Sequence, residues 1–142
     1  MPSPYFALNL GGIKFSTYSE KSSAFSASSN KETIRYYVTN LFRAYDIAPD
    51  FHRETHVLRY SDPDVKKLYD EEKAKALGQI KAFYEIFKDR IKVDDLEAAA
   101  IVIHSAAESI AHTAKFIGAK VDEARLINEF TNMIYRYLAT SE

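Results

Sequence analysis

The sequence predicts an all-α domain of about five helices behind an irregular N-terminal arm. Three observations predict it. Apolar residues recur at helical intervals from about residue 30 to the end, and no alternation of period two has useful length there. Helix start and stop signals divide that stretch into separate segments. A length of 142 residues at 46% hydrophobic and 13% aromatic is enough for one core and too little for two.

The arm covers residues 1–29 and the helical body residues 30–142. Eight serines fall in the arm, from Ser3 to Ser29, together with the pair Gly11 and Gly12. Serine hydroxyls compete for backbone hydrogen bonds, so the arm starts with poor helix odds. Phe6, Leu8, Phe15, Tyr18 and Phe25 still argue that it lies on the body. Ser29 and Glu32 have capping-box spacing, and Ile34, Val38, Leu41 and Tyr45 follow on one helix face. Pro49 ends that helix and opens a short second one through Phe51, Thr55 and Leu58. Asp62-Pro63-Asp64 supplies an N-cap acid, a first-turn proline and a second acid for the helix dipole. The third helix then carries Val65, Leu68, Tyr69, Ala76, Ile80, Phe83 and Phe87 and stops near Arg90. Asp94 and Glu97 cap a fourth, which runs through Leu96, Ala99, Ile103, Ala107, Ile110 and Ala114 to a C-cap at Gly118. Asp122 opens the fifth, with Leu126, Ile127, Phe130, Met133, Ile134, Tyr137 and Leu138.

Composition excludes several function classes. With no cysteine there is no disulfide framework, thiolate metal site or cysteine nucleophile. Nineteen basic against twenty acidic residues leave a net charge of −1, so no global positive field recruits nucleic acid. The most apolar window, 96–117, is interrupted by Glu97, His104, Glu108, His112 and Lys115, so no membrane contact is expected. The Met-Pro-Ser-Pro start lacks a basic leader, and a cytoplasmic location is expected. There is no Gly-rich phosphate loop, no Gly-x-Ser-x-Gly elbow and no clustered carboxylate pair. His104 and Glu108, four apart, are the nearest approach to a base and its orienter, and a structural hydrogen bond accounts for them. No enzyme, catalytic residue or cofactor is expected.

The order of helices resembles the C-terminal domain of TetR-family transcriptional regulators. "ETIRYYVTNLFRAYDIAPDFHRETHVLRYSDPDVKKLYDEE" is similar to the family's helix, proline-led short helix and acid-Pro-acid start. "DDLEAAAIVIHSAAESIAHTAKF" is similar to its alanine-rich penultimate helix, including the run from Glu108 to His112. "LINEFTNMIYRYL" is similar to the closing helix, ending in Tyr137-Leu138. The likeness spans about residues 30 to 140. Gly12 to Lys21, with Phe15 and Tyr18, has the spacing that closes the family's helix-turn-helix head. The sequence ahead of residue 30 has no room for that head. The resemblance therefore implies the sensing and dimerising half of a regulator, reaching DNA only through a head not present in this chain.

Two residue sets stand out. Glu72 and Gln79 interrupt the apolar stripe of the third helix, where an unpartnered polar group costs a few kcal/mol. With Tyr37, Tyr45, Tyr69, Phe83 and Phe87, and with Tyr84 beside them, they are candidates to line a cavity for a small apolar or aromatic effector. The plainer alternatives are that Glu72 and Gln79 reach solvent or Lys75, and that the aromatics are ordinary core. The second set lies on the fourth helix. Ala98, Ile101, Ser105, Ser109, His112 and Phe116, flanked by His104 and Glu108, form a second face beyond its core stripe. In the family the last two helices pair with their two-fold mates as a four-helix bundle. The homodimer candidates are accordingly Ile101, Ser105, Glu108, Ser109, His112, Phe116, Ile127, Ile134 and Leu138; cover by the N-terminal arm is the alternative. His52 and His56 have metal-ligand spacing but no HExxH order and no third ligand nearby in sequence. They read as a solvated surface pair, and no metal site is expected.

The resulting expectation is an effector-sensing, homodimeric domain of a TetR-like regulator without its own recognition helix. The rival is a helical interaction module that pairs with another protein and binds no small molecule. A solid core would favour the rival; a cavity would favour the sensor.

Overall fold

The computed structural model describes residues 27–138, and every absence or count below concerns those residues. Helix α1 spans Ala27–Ala44, α2 Pro49–Leu58, α3 Pro63–Phe87, α4 Leu96–His112 and α5 Glu123–Leu138. A 3₁₀ turn, Lys88–Arg90, ends α3, and a wider π turn, Thr113–Ile117, extends α4. There is no β-strand; Lys92 N–H donates to Leu138 O at 3.2 Å and ties the α3–α4 loop to the end of α5. No helix is long and apolar enough to cross a membrane. The head-like spacing at Gly12 to Lys21 lies outside the described residues.

Most boundary signals act as their chemistry requires. Asp62 accepts from the backbone N–H groups of Asp64 and Val65, and Asp122 accepts from that of Arg125. Two expectations need correction. Helix α1 starts at Ala27, two residues ahead of Ser29, so Ser29 lies inside its first turn and not at the cap. Asp95, not Asp94, caps α4, because only its carboxylate stands three residues ahead of the free N–H of Ala98. Between α1 and α2 the chain reverses at Ala48, whose φ of 53° is a left-handed strain of about 1–2 kcal/mol. His52 N–H donates to Ala48 O at 3.2 Å and helps hold that turn. At the other end Gly118 takes a φ of 98° and its N–H closes the π turn on Thr113 O at 2.9 Å. A Cβ would strain that backbone, so glycine fits the stop.

The core forms where α1, α3, α4 and α5 converge. Val38, Phe42, Ala100, Ala107 and Ala111 are fully enclosed, with Ile34, Tyr84, Ile103, Phe130 and Ile134 around them. The four alanines on the inner face of α4 let its backbone approach α1 and α3 closely, which is why the aromatics sit on the facing helices. Each enclosed large side chain contributes about 1.5–3 kcal/mol relative to exposure.

Candidate functional site

Two hollows flank this core, and they differ in size and chemistry. The first lies between α1, α3 and α5. It holds about 50 Å³ and is walled by Tyr37, Ile80, Phe83, Tyr84, Ile103 and Ile134, with Thr33, Ile34, Gln79 and Leu138 completing the lining. Phe83 stacks on Phe87 with ring centroids 4.7 Å apart. Burial pushes the Tyr37 phenol up to about 12 and raises Tyr84 further still, and the Tyr84 hydroxyl makes no hydrogen bond. A space of that size is smaller than a drug-sized ligand by an order of magnitude.

The second hollow opens between α2, α3 and α4 and holds about 540 Å³. Its wall mixes polar and apolar surface: His56, Arg59 and Tyr60 from the end of α2, Lys66, Tyr69, Asp70 and Lys73 from α3, Ser105, Glu108, Ser109 and His112 from α4, and Thr113 and Ile117 from the π turn. Glu108 is its centre. Arg59 Nη1 donates to Glu108 Oε1 at 2.5 Å, and the Tyr69 hydroxyl donates to the second oxygen. The Arg59 guanidinium also lies over the Tyr69 ring, 4.4 Å from its centroid, and donates to the Tyr60 hydroxyl at 2.9 Å. Burial alone would push the Glu108 carboxyl up, but the Tyr69 hydrogen bond and the Arg59 charge outweigh it and hold the group below its ordinary value.

Three imidazoles surround that carboxylate. His56 Nδ1 is 3.8 Å from Oε1, and His104 Nε2 is 3.9 Å from Oε2. The His56 and His112 rings stack with centroids 3.9 Å apart. Burial, followed by the neighbouring His56, pushes His112 down to about 4. Burial also lowers His56 and His104, with the Glu108 charge opposing it at each. All three rings therefore stay neutral at pH 7 beside an ionised carboxylate.

The chain was compared with known proteins. The model of the tetracycline repressor-like C-terminal domain matches residues 31–138, which takes in all of the pocket-forming helices. The chain belongs to this family. Neither the curated proteins nor the solved structures contain a match. The order of five helices is thus that of a TetR-type regulatory domain, and its two hollows lie among the helices that the family membership makes the ligand-binding and dimerisation body.

The structure distributes the sequence-based candidates over both hollows. Tyr37, Gln79 and Phe83 line the apolar one, and Phe87 is buried just behind it. Tyr69 lines the polar one. Tyr45 sits between them in the core, edge-on to His112 at 5.0 Å. Glu72 lines neither hollow, and Lys75 Nζ reaches it at 3.2 Å, the plainer of the alternatives for that residue. Of the dimer candidates, Ser105, Glu108, Ser109 and His112 form the α4 wall of the polar pocket. Ile134 and Leu138 turn into the core, and Phe116 and Ile127 are packed against it. Ile101 remains outside, beside Val102.

Two histidine expectations are overturned. His52 is 1% exposed and rests on Tyr45 at 4.9 Å, because the Asp46–Ala48 reversal folds α2 back onto α1. His56 is half-buried under α4, so the two are not a solvated pair. His104 and Glu108 stand 3.9 Å apart, beyond hydrogen-bond reach, since Tyr69 and Arg59 already occupy the carboxylate. Arg59 was not singled out by the sequence at all. Its partner lies 49 positions away, and no local pattern marks a residue at a helix's C-terminal boundary as one half of a buried ion pair.

Proposed function

We propose that this domain senses a small polar effector in the α2–α3–α4 pocket and assembles as a two-fold homodimer in the cytoplasm. The observation that carries the sensing half is the pocket itself: about 540 Å³, within the range of small-molecule sites, with Arg59, Lys73, Tyr69 and Glu108 converging on it. The small apolar hollow fits poorly with the flat, greasy effector that the aromatic content suggested. A ligand with an acidic or hydroxylic group suits the polar wall better. Repositioning of α2 against α4 on binding would then be the signal passed on. None of the five helices is a recognition helix, so reading an operator falls to a part of a regulator outside residues 27–138.

The dimer half is supported by apolar exposure. Ile101 and Val102 on α4 are 43% and 60% exposed, and Met133 and Tyr137 on α5 are 52% and 50% exposed. Large apolar side chains on the two adjacent final helices are what an isologous four-helix contact buries. The seam then runs along Ile101, Val102, Met133 and Tyr137, with Ser105 and Ser109 at its border with the pocket.

A melting screen of small polar molecules, in the presence of a chelator, tests the first half. Hits should lose most of their stabilising shift in Tyr69→Phe and Lys73→Ala and keep it in Gln79→Leu. Equal shifts in all three variants would remove the polar pocket from the reading. Sedimentation over a dilution series tests the second half. A parent that is monomeric at tens of micromolar would return the chain to the rival reading of a hetero-interaction module, and a Val102→Arg variant that dimerises as tightly as the parent would move the seam off this face.

A further inference from the structure

We propose that His56, Glu108 and His112 form a binding site for a transition-metal dication of the zinc class, at the inner end of the polar pocket. Each residue offers one ligand atom, and these atoms all lie within 4.8 Å of one another. Some point then lies within about 2.8 Å of all three atoms, against zinc bonds of about 2.0–2.2 Å. Side-chain adjustments of about 0.7 Å close that gap, which rotamer motion supplies without moving a helix.

The surroundings fit a ligand set better than a plain buried cluster. Glu108 and His112 stand four apart on α4, so both project from one helix face, and α2 brings His56 over them. The His56 Nδ1 atom is buried, makes no hydrogen bond and sits 3.8 Å from a carboxylate oxygen. An unsatisfied buried ring nitrogen is costly unless something fills its lone pair, and a cation does so. The carboxylate is already oriented from outside by the Tyr69 hydroxyl, in the manner of the outer partners that tune metal ligands. Two imidazoles with one carboxylate select zinc, cobalt, nickel or copper over magnesium and calcium, which demand oxygen donors. Three protein ligands leave a fourth position, and all three of these side chains line the 540 Å³ pocket. That position takes a water or a donor atom of a bound molecule. The one opposing feature is the Arg59 charge on Oε1, and its second hydrogen bond, to the Tyr60 hydroxyl, gives it somewhere to remain when an ion takes over that oxygen.

The site adjoins the pocket proposed for an effector but does not depend on it, since the ion needs only these three side chains. The test is titration of the full chain, first stripped by a chelator, with Co²⁺ followed by its visible ligand-field absorption and with Zn²⁺ followed by calorimetry. We expect one ion bound per chain, no comparable binding of Mg²⁺, and a raised melting temperature with Zn²⁺. His56→Gln and Glu108→Gln should each weaken binding by at least about tenfold. Arg59→Gln removes the competing cation and should tighten it severalfold, an effect opposite to its effect on stability. Folding of each variant is checked by circular dichroism, and a variant that fails to fold is replaced by His112→Gln. Absence of Zn²⁺ binding below about 100 μM, or unchanged binding in the folded variants, overturns the proposal. An effector hit that persists in chelator while Zn²⁺ fails to bind defeats the metal site alone, and Zn²⁺ binding without any effector hit defeats only the sensor.

Discussion

Between α1, α3 and α5 the interior closes on phenyl and phenol rings around a void of about 50 Å³; between α2, α3 and α4 it stays open at about 540 Å³ and is walled by an ion pair and imidazoles. The same helix, α4, serves both. Its Ile103 lines the first hollow, while Glu108 and His112, within three further turns, line the second. Stability comes from the closed end, where mostly apolar area leaves water and the unpartnered Tyr84 hydroxyl is a small opposing cost. At the open end, the attraction between Arg59 and Glu108 is set against the cost of drying both charges, so the net gain is small even though loss of one partner is expensive. The difference is a division of labour: one end holds the fold, and the other holds pre-positioned charges at little net gain in stability.

Mutations at the two ends should separate these roles. The largest effect is expected from Phe42→Ala, since Phe42 is fully enclosed; it should destabilise by about 3–5 kcal/mol in a denaturant titration, a large share of the stability of a domain of this size. A loss below about 1 kcal/mol would show that the enclosed core between the two hollows does not anchor the fold. Glu108→Gln comes next. It leaves Arg59, with 14% of its side chain exposed, without an ionised partner and should cost about 2 kcal/mol while far-ultraviolet dichroism stays unchanged.

Stability should also fall toward both extremes of pH. Burial lowers His52 below its ordinary value of 6.5, so the unfolded chain binds that proton first and stability falls as pH drops below about 6.5. At the closed end the raised Tyr37 phenol works in the other direction. The unfolded chain ionises near 10 and the folded one at about 12, so stability is full below 10 and declines as pH rises through that window. Urea midpoints measured from pH 5 to 11 should therefore trace a dome, with Tyr37→Phe flattening only the alkaline side. The smallest effect carries the opposite sign. The Tyr84 hydroxyl is buried without a hydrogen bond, so Tyr84→Phe should stabilise the chain by up to about 1 kcal/mol. Destabilisation there would mean that the hydroxyl has a partner, such as a bound molecule, in solution.

The sequence by itself determined the helices and most of their ends. Asp62-Pro63-Asp64, Asp122 and Gly118 act through backbone groups within a few positions, and Ile34, Val38, Leu41 and Tyr45 mark the buried face of α1 by their interval alone. It put seven residues around one cavity, and of these Tyr37, Gln79 and Phe83 share the apolar hollow while Tyr69 lines the other and Tyr45, Glu72 and Phe87 line neither. What it left undecided was the use of the second face of α4. Ser105, Glu108, Ser109 and His112 pointed to a partner helix across a dimer seam, with the N-terminal arm as the alternative cover and no sign of a cavity, because periodicity reports that a face is not solvated and says nothing of what covers it. The tertiary structure decided this by turning the chain at Ala48, which swings α2 back and sets His56 and Arg59 against Glu108. Contacts between residues so far apart in sequence depend on the angle of one short reversal, and no spacing rule within either helix encodes that angle.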